Sequence, residues 1–390
     1  MIPAILSTGI YTSLRGYLYG KEKYFHIGLV ELIEQVLRIF FCFILIHFLF
    51  PSNSPIPAGI AFGIAGVLST IIGVIVYFKC GGRFANPKGN FRTIIKTSAP
   101  ITLVRLGGSL IVPLISIILP LRFVTAGFSN EFALAQIGII LGMTMPLLSI
   151  PSTIVGAFST ALIPRVALAY KEKNFKELNH EVNSSLNFSL ILTFIVIPAF
   201  IALGEPICKF IFNSSEAGTY LSLASFIMVP MTITQISTSV LNSIGKESKS
   251  FWIYLFSSIF LLASVYFLPS IMGTNSIIVG MGVSTIISSL LNMRIIQKSS
   301  GLNNLYLKNI LYLSLLCVPV IFLTKFMYNI CSSFLPLFIA LAIAGLISVI
   351  SYLLLLSTFN ILDIKIFYQS FKQRLSVKTL KFKNKALKNK

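Results

Sequence analysis

Long apolar runs separated by short polar segments recur along the whole chain. Windows bounded by charged residues, Pro and Gly predict eleven spans, at about 1–19, 27–50, 57–78, 98–120, 133–163, 185–203, 218–242, 250–270, 275–293, 308–326 and 335–357. A helix of roughly 18 or more apolar residues can cross a hydrocarbon core of ~30 Å. The pattern therefore predicts an all-α, polytopic membrane protein with about eleven transmembrane helices.

Two segments depart from a simple series of straight crossings. The fifth window is too long for one crossing, so Pro146 and Pro151 are expected to kink it and its end at Ile163-Pro164-Arg165 is expected to leave the bilayer. The stretch 170–187 places apolar residues at helical spacing with Lys and Glu between them. That amphipathic pattern predicts an interfacial linker helix.

Composition supports a membrane protein and excludes several other classes. The 390 residues are 55% hydrophobic and only 11% charged, whereas a soluble domain has about 25% charged residues. The net charge of +20 comes from Lys and Arg in short loops rather than on one folded polar surface, so no nucleic-acid partner is expected. The five cysteines are scattered without a CxxC pair, and neither a disulfide framework nor a metal site is predicted.

The basic residues are divided unequally between the two sets of loops. One set, including the C-terminal tail, holds 25 Lys and Arg, the other holds three, and three more lie within spans. Because cytoplasmic loops carry an excess of Lys and Arg, the C-terminus is predicted to be cytoplasmic and the N-terminus outside. The basic tail, 358–390, is either a membrane-surface segment attracted to anionic lipids or a solvated tail.

A short internal repeat relates the N-terminal region to the second half of the chain. Residues 11–25 resemble 236–251, and both contain Gly-Lys-Glu at an offset of 225 residues. Both copies run outside to inside, which predicts two parallel lobes. Partners for the spans at 98–120, 133–163 and 185–203 would then fall before Met1, so three helices are expected to be missing from the first lobe.

Charged residues within the predicted spans are the first candidate site. Glu31, Glu34 and Arg38 lie on one face of the second span, where Glu34 and Arg38 can pair, and Arg15 on the preceding span is a candidate partner for Glu31. Intramembrane ionisable groups are functional candidates. The cluster is either a proton-coupled polar cavity wall or an ion-pair cluster that locks two helices near the interface.

Arg105 is the second candidate, because it lies within the fourth span beside Gly107 and Gly108 and has no acidic residue nearby in sequence. Such an arginine either lines a cavity that binds phosphate or pyrophosphate or extends towards the cytoplasmic face. Catalytic patterns are absent from the sequence: Asp363 is the sole aspartate, and there is no Asp-rich metal motif or phosphate-binding loop. Neither enzyme activity nor a cofactor is expected.

Three stretches carry a family resemblance. TSLRGYLYGKEKYFHIGLVELIEQVLRIF, GMTMPLLSIPSTIVGAFSTALIPRVA and LGEPICKFIFNSSEAGTYL resemble segments of the stage V sporulation protein B family. The resemblance implies the multidrug/oligosaccharidyl-lipid/polysaccharide (MOP) exporter superfamily, with a MATE-like fold of two lobes around a central cavity and usually fourteen helices in its polysaccharide branch.

The resemblance also implies a domain division and a function. It implies an incomplete N-terminal lobe at 1–78, a cytoplasmic loop at 79–97, a C-terminal lobe at 98–293, two additional helices at 308–357 and the tail. The implied activity is flipping of a lipid-linked sugar, such as an undecaprenyl-pyrophosphate oligosaccharide, across the cytoplasmic membrane. Matching the family pattern, Arg105 and Arg122 would contact the substrate at the cavity.

Several alternatives accompany this interpretation. A multidrug or cation antiporter of the same superfamily is one, although the last two spans exceed that branch's usual twelve helices. An inactive remnant or a scaffold for cell-wall enzymes is another, and a membrane glycosyltransferase is disfavoured by the lack of an acidic motif. The missing helices are expected either in a separate upstream fragment or before a misplaced start codon.

Overall fold

The computed structural model describes residues 2–21, 23–49, 56–83, 102, 106–301 and 305–359. These residues form helices and short connections, and no strand occurs among them. The chain divides into two compact units, Met1–Thr97 and Ser98–Lys390. The basic tail beyond residue 359, predicted as either a membrane-surface segment or a solvated tail, lies outside the described residues.

The first unit is a bundle of three helices. They are α1 (Ile2–Gly20), α2 (Tyr24–Ile44, continued by a π-helix over Leu45–Leu49) and α3 (Ile56–Lys79). The α3 face towards α1 carries small residues, and a Cβ added at Gly73 would lie 2.9 Å from the Tyr11 ring. Thr70 Oγ1 donates a hydrogen bond to the Ser7 carbonyl oxygen at 3.0 Å. Small residues and interhelical hydrogen bonds allow close packing where lipid supplies no hydrophobic drive between helices.

The second unit contains the remaining helices. They are α4 (Ile111–Thr125), α5 (Asn130–Ile137), a π-helix (Gly138–Thr144), α6 (Met145–Lys171), α7 (Phe175–Phe212), α8 (Ser215–Ala224), a 3-10 turn (Ser225–Ile227), α9 (Met228–Ser243), α10 (Glu247–Phe267), α11 (Pro269–Met272), α12 (Asn275–Ser300), α13 (Leu305–Phe334) and α14 (Leu337–Thr358). Helix α7 is the centre of this unit, with α6, α8, α9, α13 and α14 packed around it.

Nine helical segments among the described residues are long and apolar enough to cross a membrane, and they correspond to the third to eleventh predicted windows. The first two windows also form helices, α1 and α2, but these are not among the nine. Helix α2 carries three charged residues, and α1 contains several Ser, Thr, Tyr and Gly residues. The predicted all-helical, multi-pass architecture is thus confirmed, whereas the number eleven is not.

Two details of the prediction are wrong. Helix α6 does not end at Ile163: it continues through Pro164 to Lys171, since a proline removes only one backbone donor and the helix packs on along α7. The stretch 170–187 is not a separate linker helix, because its residues from Phe175 onwards belong to the 38-residue α7. Of its apolar residues at helical spacing, Leu178, Val182 and Leu186 are buried inside the unit, each 1% exposed or less, whereas Phe175 is 41% exposed.

Candidate functional site

The charged residues of α1 and α2 form a paired cluster. Arg15 Nη1 lies 3.0 Å from Glu31 Oε1, and the two side chains are 41% and 40% exposed. This pair joins α1 to α2 across the short turn between them. It is the partnership that the sequence suggested for Arg15.

The second pair lies within α2. Arg38 Nη2 lies 2.7 Å from Glu34 Oε1, and Arg38 Nη1 donates to Gln35 Oε1 at 3.2 Å. The Arg38 guanidinium also lies 4.2 Å from the centre of the Phe62 ring on α3, a cation–π contact. Each carboxylate of the cluster therefore has a guanidinium beside it, and the four side chains together are formally neutral.

Arg122 lies in the last turn of α4 and contacts α10. Its Nε donates to the Tyr266 carbonyl oxygen at 2.8 Å, and its guanidinium carbon lies 4.3 Å from the centre of the Tyr266 ring. Arg122 is half-buried by these contacts. Arg122 therefore joins the end of α4 to the end of α10. It is also the residue that, by the family resemblance, would contact the substrate.

Arg105 lies outside the described residues, but the two glycines that follow it are described. A Cβ added at Gly107 would lie 3.2 Å from Phe251 Cζ, and Tyr254 Oη donates to the Gly108 carbonyl oxygen at 3.2 Å. The glycines thus let the chain approach α10 closely. In the sequence analysis they were only the neighbours of Arg105, and in the structure they pack against α10.

A partly buried polar network in the second unit was not recognised from the sequence. Gln136 Nε2 donates to Glu216 Oε1 at 2.7 Å, and Tyr220 Oη lies within hydrogen-bond distance of Gln136 Oε1, Glu216 Oε1 and Thr274 Oγ1, at 2.8, 3.2 and 2.5 Å. Gln136 is 2% exposed and Tyr220 is 6% exposed. The network joins the end of α5 to the starts of α8 and α12. The sequence feature that could have indicated this network is Gln136, a polar residue within the apolar window at 133–163.

The described residues contain no group of three or more His, Cys, Asp or Glu side chains that could hold a metal ion. Their chemistry is that of paired charges and hydrogen-bonded amides and hydroxyls. Such groups can hold helices together or contact a polar substrate.

The MatE family matches residues 108–268, which begin before α4 and end after α10. The chain is 24% identical over 233 residues to stage V sporulation protein B of Bacillus subtilis (strain 168), covering 57% of this chain and 45% of that protein. Its fold is similar to that of the lipid II flippase MurJ in an inward closed conformation, with a TM-score of 0.69 and 16% identity over 92% of this chain and 72% of the other. The sequence match and the fold likeness are both to MATE-like proteins.

Other MOP-superfamily structures share the fold less extensively. An inward-facing multidrug resistance MATE transporter has a TM-score of 0.59 and 17% identity, covering 75% of this chain and 68% of its own. Together with the nine apolar helices among the described residues, these likenesses support an integral, multi-pass membrane protein. The match to the Bacillus subtilis protein spans less than half of that protein's length.

Proposed function

We propose that this chain flips a lipid-linked oligosaccharide or a peptidoglycan precursor across the cytoplasmic membrane by alternating access, in cell-wall or spore-cortex biogenesis. The observation that carries the proposal is the likeness to the lipid II flippase fold over 92% of the chain. Similarity to stage V sporulation protein B also supports this proposal. The substrate class is a sugar on an undecaprenyl-pyrophosphate carrier.

The proposed contacts to the pyrophosphate come from Arg105 and Arg122. A guanidinium offers a fork of N–H donors that suits the oxygens of a phosphate. In Arg122 the Nε–H is used by the Tyr266 carbonyl oxygen. Its two terminal nitrogens supply the proposed contacts to a phosphate, and the Tyr266 contact fixes the direction in which they point.

In this proposal the paired cluster of Arg15, Glu31, Glu34 and Arg38 contributes a polar wall in the first unit. The pairs allow four ionisable groups to lie within the helices without an unpaired charge. In the same proposal the cluster takes part in proton coupling, a role that carboxylates within the membrane have in transporters.

A reconstitution assay tests the proposal. The chain is placed in vesicles with fluorescent lipid II, and separately with a fluorescent polyprenyl-pyrophosphate sugar, and transbilayer movement is measured by quencher accessibility. Movement above that of protein-free vesicles supports the flippase. Loss in Arg105→Ala with retention in Arg105→Lys supports a charge role for that residue, whereas equal movement for all three versions removes it from the site.

The second candidate is a multidrug or cation antiporter, which the MatE match and the multidrug MATE fold favour. Helices α13 and α14 support the flippase instead, since both have the length and composition of membrane spans and follow the family-matched region. Dye efflux from the same vesicles under an imposed proton or sodium gradient, with no lipid movement, would favour the antiporter.

A further inference from the structure

An apolar groove opens between α4 and α10 in the second unit. It has a volume of about 420 Å³ and is lined by Ile111, Trp252, Leu255, Phe256, Ser258, Ile259 and Leu262. Ser258 is 2% exposed and its hydroxyl donates to the Tyr254 carbonyl oxygen, so it presents no unsatisfied polar group. The rim is open, as Trp252 and Ile259 are 68% and 60% exposed. The groove therefore suits a hydrocarbon chain.

The length of the groove matches one leaflet of a bilayer. Its lining on α10 runs from Trp252 to Leu262, and ten residues of helix rise about 15 Å. A hydrocarbon core is ~30 Å thick, so the groove spans about half of it. A single acyl chain occupies one leaflet, and a chain of that extent fits from end to end.

One end of the groove carries a positive charge on the same helical face. Lys249 is exposed and precedes Trp252 by three residues, so the two side chains are neighbours on α10. Tryptophan is enriched at the level of lipid headgroups. Glu247 lies two positions before Lys249 and faces a different side of the helix. Lys246 is engaged elsewhere, since its Nζ contacts Ser299 Oγ.

We propose that this groove retains one anionic phospholipid from the surrounding membrane. An acyl chain lies along α10 between Phe256 and Ile111, the Trp252 indole lies at headgroup level, and the phosphate contacts Lys249. The unequal distribution of basic residues predicts that this end of α10 is cytoplasmic, and the cytoplasmic leaflet is the one rich in anionic lipid. The interaction is independent of whether the chain moves a lipid-linked sugar.

Trp252 is the only tryptophan of the chain and reports directly on the groove. The full chain is reconstituted into vesicles that mix phosphatidylglycerol and phosphatidylcholine, with bromine on the acyl chains of one lipid or the other. Bromine quenches indole fluorescence on contact. We expect brominated phosphatidylglycerol to reach half-quenching at an about fivefold lower mole fraction than brominated phosphatidylcholine, the effect of one basic residue near the headgroup.

Variants separate a specific site from general surface charge. Lys249→Gln should abolish the preference for phosphatidylglycerol and Lys249→Arg should retain it. The matched control is Lys298→Gln, which removes the same charge one residue from Ser299, at the same end of the unit. Ile259→Phe should fill the groove and reduce quenching by both lipids.

Three results would overturn the proposal. Equal quenching by the two brominated lipids would mean that Trp252 meets only bulk lipid. Equal loss of preference in Lys298→Gln would mean that surface charge alone is responsible. Displacement of brominated phosphatidylglycerol by an equal mole fraction of undecaprenyl phosphate would assign the groove to the isoprenoid carrier.

Discussion

Arg122 and Tyr266 are joined by two different contacts, although 144 residues separate them in the chain. The Arg122 Nε donates to the Tyr266 carbonyl oxygen at 2.8 Å, and the guanidinium lies 4.3 Å from the centre of the Tyr266 ring. One arginine thereby ties the end of α4 to the end of α10. A residue with this geometry supports the fold as well as being a candidate for binding an anion.

Replacing Arg122 separates these two roles. Arg122→Ala removes a hydrogen bond worth about 0.5–1.5 kcal/mol and a cation–π contact worth about 0.5–1 kcal/mol when exposed. We expect a lower melting temperature in detergent for this variant, and a smaller drop for Tyr266→Leu, which keeps the carbonyl acceptor.

Transport measured per folded molecule supplies the second readout for Arg122. If the arginine also binds the pyrophosphate, Arg122→Ala should raise the apparent KM for the lipid substrate while Tyr266→Leu should not. Unchanged KM in both variants would restrict Arg122 to its structural role.

The Arg15–Glu31 pair predicts a recovery in the double variant. Arg15→Leu leaves Glu31 without its 3.0 Å partner, and Glu31→Leu removes the same ion pair. An unpaired charge within a membrane helix costs about 2.5–3.5 kcal/mol at the helix centre and less near the interface. We expect each single variant to lower the melting temperature and the double variant to regain most of it.

Exchanging the two residues, Arg15→Glu with Glu31→Arg, tests whether charge pairing alone is needed. Wild-type stability with lost transport would indicate that the orientation of the pair matters to the substrate or the coupling ion. Additive losses in the double leucine variant would show instead that the two side chains act independently.

The sequence predicts the cluster better than the rest of the site for a physical reason. Glu34 and Arg38 are neighbours on one helix, and Arg15 lies in the helix directly before Glu31, so local spacing brings them together. Gln136 and Tyr220 are 84 residues apart, and only the packing of α5 against α8 makes them partners. The spacing of these two residues in the sequence therefore does not predict their contact.

Helix ends and irregularities were similarly difficult to predict. The prolines at 146 and 151 suggested a kink, and a π-helix occurs at Gly138–Thr144. This segment includes Gly142, whose carbonyl Pro146 cannot reach with a backbone N–H. The sequence did not predict that the irregularity is a π-helix. Apolar windows also underestimated α7 by more than a turn at each end, because its first turns are polar outside and apolar inside. Hydropathy averages over a window and removes that difference between faces.

The network around Tyr220 predicts a selective loss of stability. Tyr220→Phe removes the hydroxyl that reaches Gln136, Glu216 and Thr274. Leaving a buried polar group unpaired costs about 1–3 kcal/mol, so the melting temperature should fall. Tyr312→Phe is the matched control, because Tyr312 is 44% exposed. An equal effect of the two substitutions would contradict a structural role for the network.

The crossing of α7 and α8 depends on a missing side chain at Gly218. A Cβ there would lie 2.3 Å from Glu205 Cα and 2.6 Å from the Gly204 carbonyl oxygen, both backbone atoms that cannot rotate away. Gly218→Ala must therefore separate the helices, and overpacking of this kind costs about 1–3 kcal/mol or more.

Gly282→Ala is the control for that crossing, because its Cβ would meet Ile227 at 3.7 Å, an ordinary contact. We expect a large fall in melting temperature or in folded yield for Gly218→Ala and little change for Gly282→Ala. Similar behaviour of the two variants would mean that α7 and α8 can move apart without loss.

The π-helix between α5 and α6 predicts opposite effects on stability and transport. Gly138 and Gly142 have open space around the position of a Cβ, so alanine introduces no clash. Alanine favours a regular helix over glycine by about 0.5–1 kcal/mol. The double variant Gly138→Ala with Gly142→Ala should therefore raise the melting temperature. Because π-helical turns recur at functional sites, we expect the same variant to slow lipid movement.

Gly345→Ala makes the comparison specific, since Gly345 also has open space around it but lies within the regular helix α14. It should raise the melting temperature and leave transport unchanged. If the double variant and Gly345→Ala transport at the same rate, the π-helix is a packing irregularity. A slower rate confined to the double variant would mean that the segment between α5 and α6 must bend during each transport cycle.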